Sequence, residues 1–150
     1  MLAKITIGLC VLAVAGGAYV RLSPADLTSF TTSPAATEPG DTATMNSFKA
    51  VRQITASGAD IMQAVDQVAL QSDRTKVASG AAAEGLVTYV TRSALMGYPD
   101  YTTVTVVDTE NGPLLVMRAQ SRFGKSDLGV NRARVEAWLT QLGPLVVPAS

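Results

Sequence analysis

The chain contains no histidine and only one cysteine, and each shortage excludes a class of function. Without imidazole groups, the usual ligand sets for zinc, copper and haem cannot form, and no histidine can act as a general base. Cys10 has no second cysteine with which to form a disulfide inside the chain. An enzyme with this sequence would have to rely on carboxylates, hydroxyls, lysine or tyrosine. We therefore predict no cofactor and favour a protein that is not an enzyme.

Net charge is also absent, because 12 Lys and Arg residues balance 12 Asp and Glu residues and the sequence pI is near 6.2. Such a chain has no overall field that would draw it onto nucleic acid, and it contains no dense basic stripe with interleaved aromatic residues. The acidic residues are scattered and form no calcium-binding loop of the DxDxDG type. We predict neither a nucleic-acid partner nor a metal site.

The chain does contain an apolar N-terminal run, residues 5–20, which lies between Lys4 and Arg21. As a helix, this run would be about 24 Å long, slightly shorter than the ~30 Å hydrocarbon core of a bilayer. The side chains of Lys4 and Arg21 could extend towards the headgroups. We therefore predict a transmembrane anchor or uncleaved signal over residues 1–22. A signal peptide cleaved at the small residues Ala13-Val14-Ala15 is the main alternative, and a buried helix is a third interpretation.

In the two leading cases, the anchor and the cleaved signal, the rest of the chain is exported, so we expect a protein of the inner membrane with the bulk of its chain in the periplasm. Residues 23–47 are rich in Pro, Ser and Thr and show no apolar period. That composition is typical of a linker that stays poorly ordered unless it docks on something. The periplasmic α+β domain is predicted over residues 48–150.

Two helices are predicted within this domain. Ser57 and Asp60 resemble a capping box before an apolar helical period, which predicts a helix over residues 58–72. An apolar stripe that ends at Leu142 predicts the closing helix, with Asn131 as its N-cap.

Between the helices, segments rich in Val, Thr and Tyr are separated by Gly, Pro, Asn and Asp, a pattern typical of strands. The predicted strands are residues 75–85, 86–93, 101–108 and 113–121, the last two joined by a hairpin turn. The expected fold class is therefore α+β: an N-terminal transmembrane helix, then a small antiparallel sheet of about four strands flanked by two helices, both on one face.

Five of the twelve basic residues lie between Arg118 and Arg134, together with glycines, an aspartate and an asparagine. Gly124 and Gly129 permit positive φ, so the chain can turn tightly before the last helix and expose main-chain N–H groups. Guanidinium groups beside such a loop at a helix N-terminus suit an anion. The candidate binding residues are Arg92, Arg118, Ser121, Arg122, Ser126, Asp127, Asn131 and Arg134.

Three interpretations of this segment stay open. In the first, Asp127 pairs with an arginine and Asn131 caps the helix, so that the segment is a structural clasp between strand and helix. In the second, the arginines and the loop amides bind a phosphate, a lipid headgroup or a carboxylate. In the third, hydroxyl and carboxylate groups of the segment take part in catalysis, although Lys125 is the nearest base in the sequence.

The blocks TYVTRSALMGYPDYTTV and VMRAQSRFGKSDLGVNRARVEAWL resemble the bacterial domain-of-unknown-function family 1499. Two departures stand out: Ala119-Gln120 replaces the usual Ser-x, and Tyr98-Pro99-Asp100-Tyr101 offers one acid where the family has two. A family role that needs paired carboxylates is therefore not expected here. The positions that match the family motif are Arg118, Ser121, Arg122, Gly124, Ser126, Asp127, Gly129, Asn131 and Arg134.

The stretch YVRLSPADL also resembles the membrane-proximal part of alphaproteobacterial members, so the resemblance implies a membrane-attached, periplasm-facing domain without an established activity. We predict a non-catalytic binding or accessory protein of a membrane complex. The alternative is an anion or lipid-headgroup binding module, or a histidine-independent hydrolase, at the Arg/Gly/Asp loop. The predicted partners are the membrane through the N-terminal helix, a membrane-protein complex and an anionic ligand.

Overall fold

The structure is a computed structural model that describes residues 2–148, and its account of side chains omits residues 2–5, 7, 9 and 10. The predicted roles of Lys4 and Cys10 therefore lie outside the described residues. The described helices are α1 (Leu2–Leu22), α2 (Thr28–Thr31), α3 (Gly58–Gln71) and α4 (Val130–Leu142), and the described strands are β1 (Gly40–Ala43), β2 (Ser47–Gln53), β3 (Thr75–Ala81), β4 (Leu86–Arg92), β5 (Pro99–Thr109) and β6 (Gly112–Ser121).

The six strands form one antiparallel sheet in the order β1-β2-β6-β5-β4-β3. Strands β5 and β6 make the predicted hairpin, paired from Thr109 opposite Gly112 to Asp100 opposite Ser121. The α+β class is confirmed, but the prediction of about four strands is wrong, because β1 and β2 add two more. Strand β2 was not predicted because its residues do not alternate cleanly between apolar and polar. Both of its faces are covered, so neither face requires polar residues.

Helices α3 and α4 lie on one face of the sheet and share a hydrophobic core with it. Trp138 of α4 packs edge-on against Tyr89 of β4, with ring centroids 5.7 Å apart. The indole N–H of Trp138 donates to Ser72 Oγ at the end of α3, at 2.8 Å. This contact joins the two helices, and it satisfies the one polar atom of a side chain that is 1 % exposed.

Helix α3 begins where the sequence predicts. The hydroxyl of Ser57 accepts a hydrogen bond from the main-chain N–H of Asp60 at 3.1 Å and donates to the Asp60 carboxylate at 2.6 Å. These bonds satisfy a main-chain donor that the first helical turn leaves without a partner. The local cap therefore fixes where α3 begins.

The opposite face of the sheet is covered by residues 23–36, which we call the strap. Phe30 of the strap packs against Tyr101 of β5, with ring centroids 4.5 Å apart. Ala36 packs against a second apolar cluster on this face, formed by Val51, Leu114 and Val116. The sequence assigns these residues to a linker that orders only on docking, and the structure shows that docking. It also places regular structure inside the predicted linker, where α2 and β1 form.

Within the described part of the chain, no helix combines the length and the hydrophobicity that crossing a bilayer requires. This finding overturns the N-terminal transmembrane helix predicted over residues 1–22. The apolar run is short for a bilayer and includes Gly8, Gly16 and Gly17, which add little apolar surface. Helix α1 meets the domain near its C-terminal end, where Val20 is buried.

Removing the hydroxyl of Tyr89 tests the polar contact inside the helix-face core. This hydroxyl donates to Asp66 Oδ1 at 2.8 Å, and burial, followed by the hydrogen bond to Asp66, raises the pKa of Tyr89. Tyr89→Phe keeps the ring but loses the bond, so we expect the free energy of unfolding at neutral pH to fall by about 1 kcal/mol.

The same variant should also change the response to alkali. Because the pKa is raised in the folded state, the contribution of Tyr89 is fully present below the ordinary tyrosine pKa of about 10 and decreases as the pH rises above it. The free energy of unfolding, measured by urea titration on either side of that pH, should therefore fall less steeply for Tyr89→Phe than for the native chain. Tyr98→Phe, at a 41 % exposed side chain, is the matched control. Equal alkaline slopes for the native chain and Tyr89→Phe would contradict this account.

Candidate functional site

The predicted site lies at the end of the sheet where β6 finishes and the chain turns towards α4. Asp100 and Ser121 sit opposite each other in the β5–β6 register, on the face that carries the helices. The Ser121 hydroxyl donates to Asp100 Oδ1 at 2.6 Å. The two residues are 8 % and 7 % exposed, so this bond forms almost out of contact with water.

Helix α4 supplies the other half of the arrangement. Asn131 and Arg134 are three residues apart, so their side chains project from the same side of the helix. Asn131 Nδ2 donates to Ser121 Oγ at 3.0 Å, and its Oδ1 accepts from Arg134 Nη1 at 2.8 Å. Arg134 Nη2 then donates to Asp100 Oδ2 at 2.8 Å. The four side chains close a ring of hydrogen bonds, which we call the Asp100–Arg134 network.

The charges of this network cancel inside the protein. The Arg134 and Asp100 side chains are 11 % and 12 % exposed, so their ion pair is largely shielded from solvent. Desolvating two charges is costly unless each has a partner and its remaining hydrogen-bonding positions are filled, and the neighbouring Ser121 and Asn131 fill some of them. The network joins β5, β6 and α4 and leaves its serine without an exposed approach for a substrate. Its geometry is that of a clasp.

The loop between β6 and α4 uses its own side chains to satisfy its main chain. Asp127 Oδ1 accepts from the N–H of Gly129 at 3.0 Å, and Asp127 Oδ2 accepts from the N–H of Asn131 at 3.1 Å. The hydroxyl of Ser126 accepts from the N–H of Leu128 at 3.2 Å. The N–H groups of Leu128, Gly129 and Asn131, which the sequence predicted to be available for an anion, are therefore occupied.

These bonds also correct the predicted cap of the last helix. Asn131 is not the N-cap; it lies inside the first turn of α4 with 0 % exposure. Gly129 occupies the cap position with φ of 80°, a conformation that glycine adopts without steric cost. Asp127, two residues earlier, performs the capping through its carboxylate. The side chain of Asn131 therefore takes no part in capping and donates to Ser121 instead.

Three of the predicted arginines do not join Arg134, because the sheet lies between them. Arg118 and Arg122 project from the strap side: Arg118 Nη2 donates to the carbonyl of Ser29 at 2.7 Å. Arg122 donates to the carbonyls of Ser23 and Pro24 at 3.0 and 2.7 Å.

Arg92 is likewise engaged locally, since its Nη1 donates to the Gly97 carbonyl at 2.9 Å. The structure thus brings Ser121, Asp127, Asn131 and Arg134 together and places Arg92, Arg118 and Arg122 elsewhere. The expectation that several guanidinium groups gather around the glycine loop is corrected: neighbouring positions in the sequence lie on opposite faces of a strand.

Sequence reasoning missed two contributors to the network. Asp100 was noticed as the one acid of the Tyr98–Tyr101 element but was not joined to the arginines, because strand register alone brings it beside Ser121. Asn46 contributes through its main-chain carbonyl, which accepts from Asn131 Nδ2 at 3.3 Å. A main-chain contact of this kind leaves no signal in side-chain identity.

A separate cavity of about 840 Å³ lies between α3 and the turn after β3. Asp66, Glu84 and Asp108 line it, and none of the predicted site residues does. Among the described residues, no cluster of three or more His, Cys, Asp or Glu side chains could hold a metal ion. The cavity is therefore distinct from the network.

Comparison with known proteins gives one match. A family model described as a protein of unknown function (DUF1499) matches residues 21–142. No curated protein and no solved structure matches the chain. The matched region begins at the end of α1 and includes the strap, the whole sheet and both packed helices.

Replacing Asp100 tests whether the network is a structural clasp. Asp100→Asn leaves the Arg134 charge buried without a counter-charge, so we expect the free energy of unfolding to fall by about 3 kcal/mol. Adding Arg134→Met should restore part of the loss, because no unpaired charge then remains. Glu136→Gln, which breaks the exposed Arg132–Glu136 pair on α4, is the control and should change stability little. Chemical denaturation of the native chain and the three variants measures the free energies of unfolding. An Asp100→Asn variant as stable as the native chain would refute the clasp.

Proposed function

We propose that this chain, which belongs to the DUF1499 family of proteins of unknown function, is a non-catalytic binding domain that serves as an accessory protein of a membrane complex. The family description assigns no role, so the role is inferred from the chain's own geometry. The observation that carries this proposal is the closed Asp100–Arg134 network. Its hydroxyl, amide, carboxylate and guanidinium groups bond to one another rather than to an open cavity. The three residues of this network that match the family motif, Ser121, Asn131 and Arg134, therefore serve to hold a surface in shape.

A catalytic role would need a nucleophile with an exposed approach and a base beside it. Ser121 is the only predicted hydroxyl within the network, and it is 7 % exposed with its oxygen already bonded to Asp100 and Asn131. Ser126 lies in the loop, where its hydroxyl accepts from a main-chain N–H. Neither serine meets the requirement, which favours binding over hydrolysis.

The location expected from the sequence, the inner membrane with the bulk of the chain in the periplasm, is part of this proposal. It is supported by apolar side chains that α1 leaves exposed, Val11, Leu12 and Val14 among them. A reporter that is active only outside the cytoplasm, fused after Ser150, would report on it. An inactive reporter on an intact fusion would count against this location.

An accessory protein should be recovered together with its complex. We expect detergent extraction of the tagged full chain from native membranes to yield a companion protein at a stoichiometric ratio, measured by quantitative mass spectrometry. Ser121→Ala should leave this recovery unchanged below its own unfolding temperature, because the hydroxyl acts inside the clasp and not on a substrate. Recovery of the chain alone, by contrast, would argue that it is no accessory subunit.

A second candidate, an anion or lipid-headgroup binding module, is favoured by one specific observation. Arg118 and Arg122 donate to main-chain carbonyls of the strap, and neither forms an ion pair with a described carboxylate. Lys49 reaches the strap in the same way, through the carbonyl of Ala35 at 3.4 Å. An anion would offer these cations the charge that the carbonyls lack.

Inorganic phosphate is a direct probe of this second candidate. If the face under the strap binds anions, phosphate should raise the melting temperature of the full chain, and Arg122→Ala should abolish the rise while the domain stays folded. Arg132→Ala, at an exposed arginine of α4, is the matched control and should keep the rise. An unchanged rise in Arg122→Ala, or no rise in the native chain, would eliminate the candidate.

A further inference from the structure

One end of the sheet exposes large apolar side chains on the tips of three loops. These loops, residues 44–46, 93–98 and 122–129, lie where β2 and β5 begin and where β4 and β6 finish. Their tips carry Leu128, Leu95 and Met45, which are 92, 84 and 70 % exposed. We call this surface the loop end.

The loops are joined to one another, so the loop end is a single surface. The N–H of Asp127 donates to the carbonyl of Met45 at 3.1 Å. The rings of Tyr98 and Phe123 lie 6.0 Å apart, and the ring of Tyr19 at the end of α1 lies 6.5 Å from that of Phe123. Three aromatic rings therefore meet at this end of the sheet, and the side chains of Tyr19 and Tyr98 are themselves 64 and 41 % exposed.

The conformation of Leu128 shows that its exposure is built into the fold. Its φ is +54°, in the left-handed region that residues other than Gly, Asn and Asp rarely adopt. A leucine held there gains no burial in return, because 92 % of it is open to solvent. Asparagine would suit this backbone conformation better, so the stability of the folded domain does not explain a leucine at position 128.

Basic groups surround these tips. The loop end carries Arg122 and Lys125 against one acid, Asp127, whose carboxylate is occupied by main-chain N–H groups. Arg92 borders the same end, at the finish of β4. Two further acids at this end are paired: Asp100 with Arg134, and the exposed Asp73 with Arg74 beside Arg92. The surface thus combines separate aliphatic tips with an excess of positive charge.

We propose that the loop end docks on the surface of a lipid bilayer that contains anionic phospholipids. Leu95 and Leu128 enter the boundary below the headgroups, and Lys125 lies among the phosphates. Short apolar tips flanked by basic side chains and tyrosines match the layered chemistry of that boundary. A protein partner would be better matched by a contiguous apolar patch with few charges at its centre, whereas here the apolar tips stand on separate loops beside basic side chains. This docking requires neither a spanning helix nor the companion protein proposed above.

A fluorophore placed at single positions of the full chain tests the docking locally, whatever the contribution of α1 to membrane affinity. In a Cys10→Ser background, an environment-sensitive probe is attached to Leu128→Cys, to Leu95→Cys or, as the matched control, to Val147→Cys. Val147 is also exposed, at 40 %, but lies at the opposite end of the sheet beside Gln53. With vesicles of phosphatidylcholine and phosphatidylglycerol, emission at positions 128 and 95 should shift to the blue and be quenched by spin-labelled lipid, whereas position 147 should not change.

Two further variants separate the apolar contribution from the charge contribution. Leu128→Asn suits the left-handed backbone, so its melting temperature should equal or exceed that of the native chain, while its vesicle affinity falls by about tenfold. Lys125→Glu should lose the preference for phosphatidylglycerol over phosphatidylcholine alone. The proposal is overturned by no shift at position 128, by equal shifts at positions 128 and 147, or by a shift at position 128 that appears without vesicles, which would indicate a second copy of the chain. A shift that requires an added membrane protein would also overturn it.

Discussion

The ion pair between Asp100 and Arg134 is the contact on which the architecture of this domain most depends. It ties the start of β5 to the first turns of α4, and through Ser121 and Asn131 it includes the end of β6. A pair with so little access to water is stable only while each charge keeps its partner. The path of the loop that carries Leu128 is thereby set from both sides, so the shape of the loop end follows from a contact buried beneath it.

The two faces of the sheet are stabilised by different means. The helix face is a packed core in which Trp138, Tyr89 and their neighbours exclude water. The strap face combines a small apolar cluster with cations bonded to main-chain carbonyls. Covering both faces in this way lets a short chain bury most of its sheet with only two long helices packed on it.

Much of this fold could be predicted from the sequence. The helix over residues 58–72 and the four later strands follow from local caps and turns, and the structure reproduces them within a few residues. Strand β2 could not be found in this way, because a strand with two covered faces lacks the alternation that reveals strands. The docking of the strap was equally hard to predict, since it combines isolated side-chain contacts such as that of Phe30 with main-chain carbonyls that any sequence provides. The transmembrane helix was inferred from an uncharged run of residues, which the structure does not support.

Half of the candidate site residues predicted from the sequence lie close together in the structure. Strand geometry explains why the others do not. Side chains that follow one another along a strand point to opposite faces, so the last residues of β6 contribute to different surfaces. Ser121 turns to the helices, and Arg118 and Arg122 turn to the strap. Only the pairing register, which the sequence does not state, decides that Asp100 becomes the partner of the network.

The contacts of the strap determine which amino-acid substitutions related chains can tolerate in this segment. Arg118 and Arg122 bind oxygen atoms of the peptide backbone, which every type of amino acid carries in the same place. Substitutions along the strap therefore leave those bonds available as long as its path is kept, whereas a change at either arginine removes them. Related chains should consequently vary at strap positions other than packed ones such as Phe30 and Ala36, while the arginines opposite the strap stay constant. A region with low sequence conservation would then still be an integral layer of the domain.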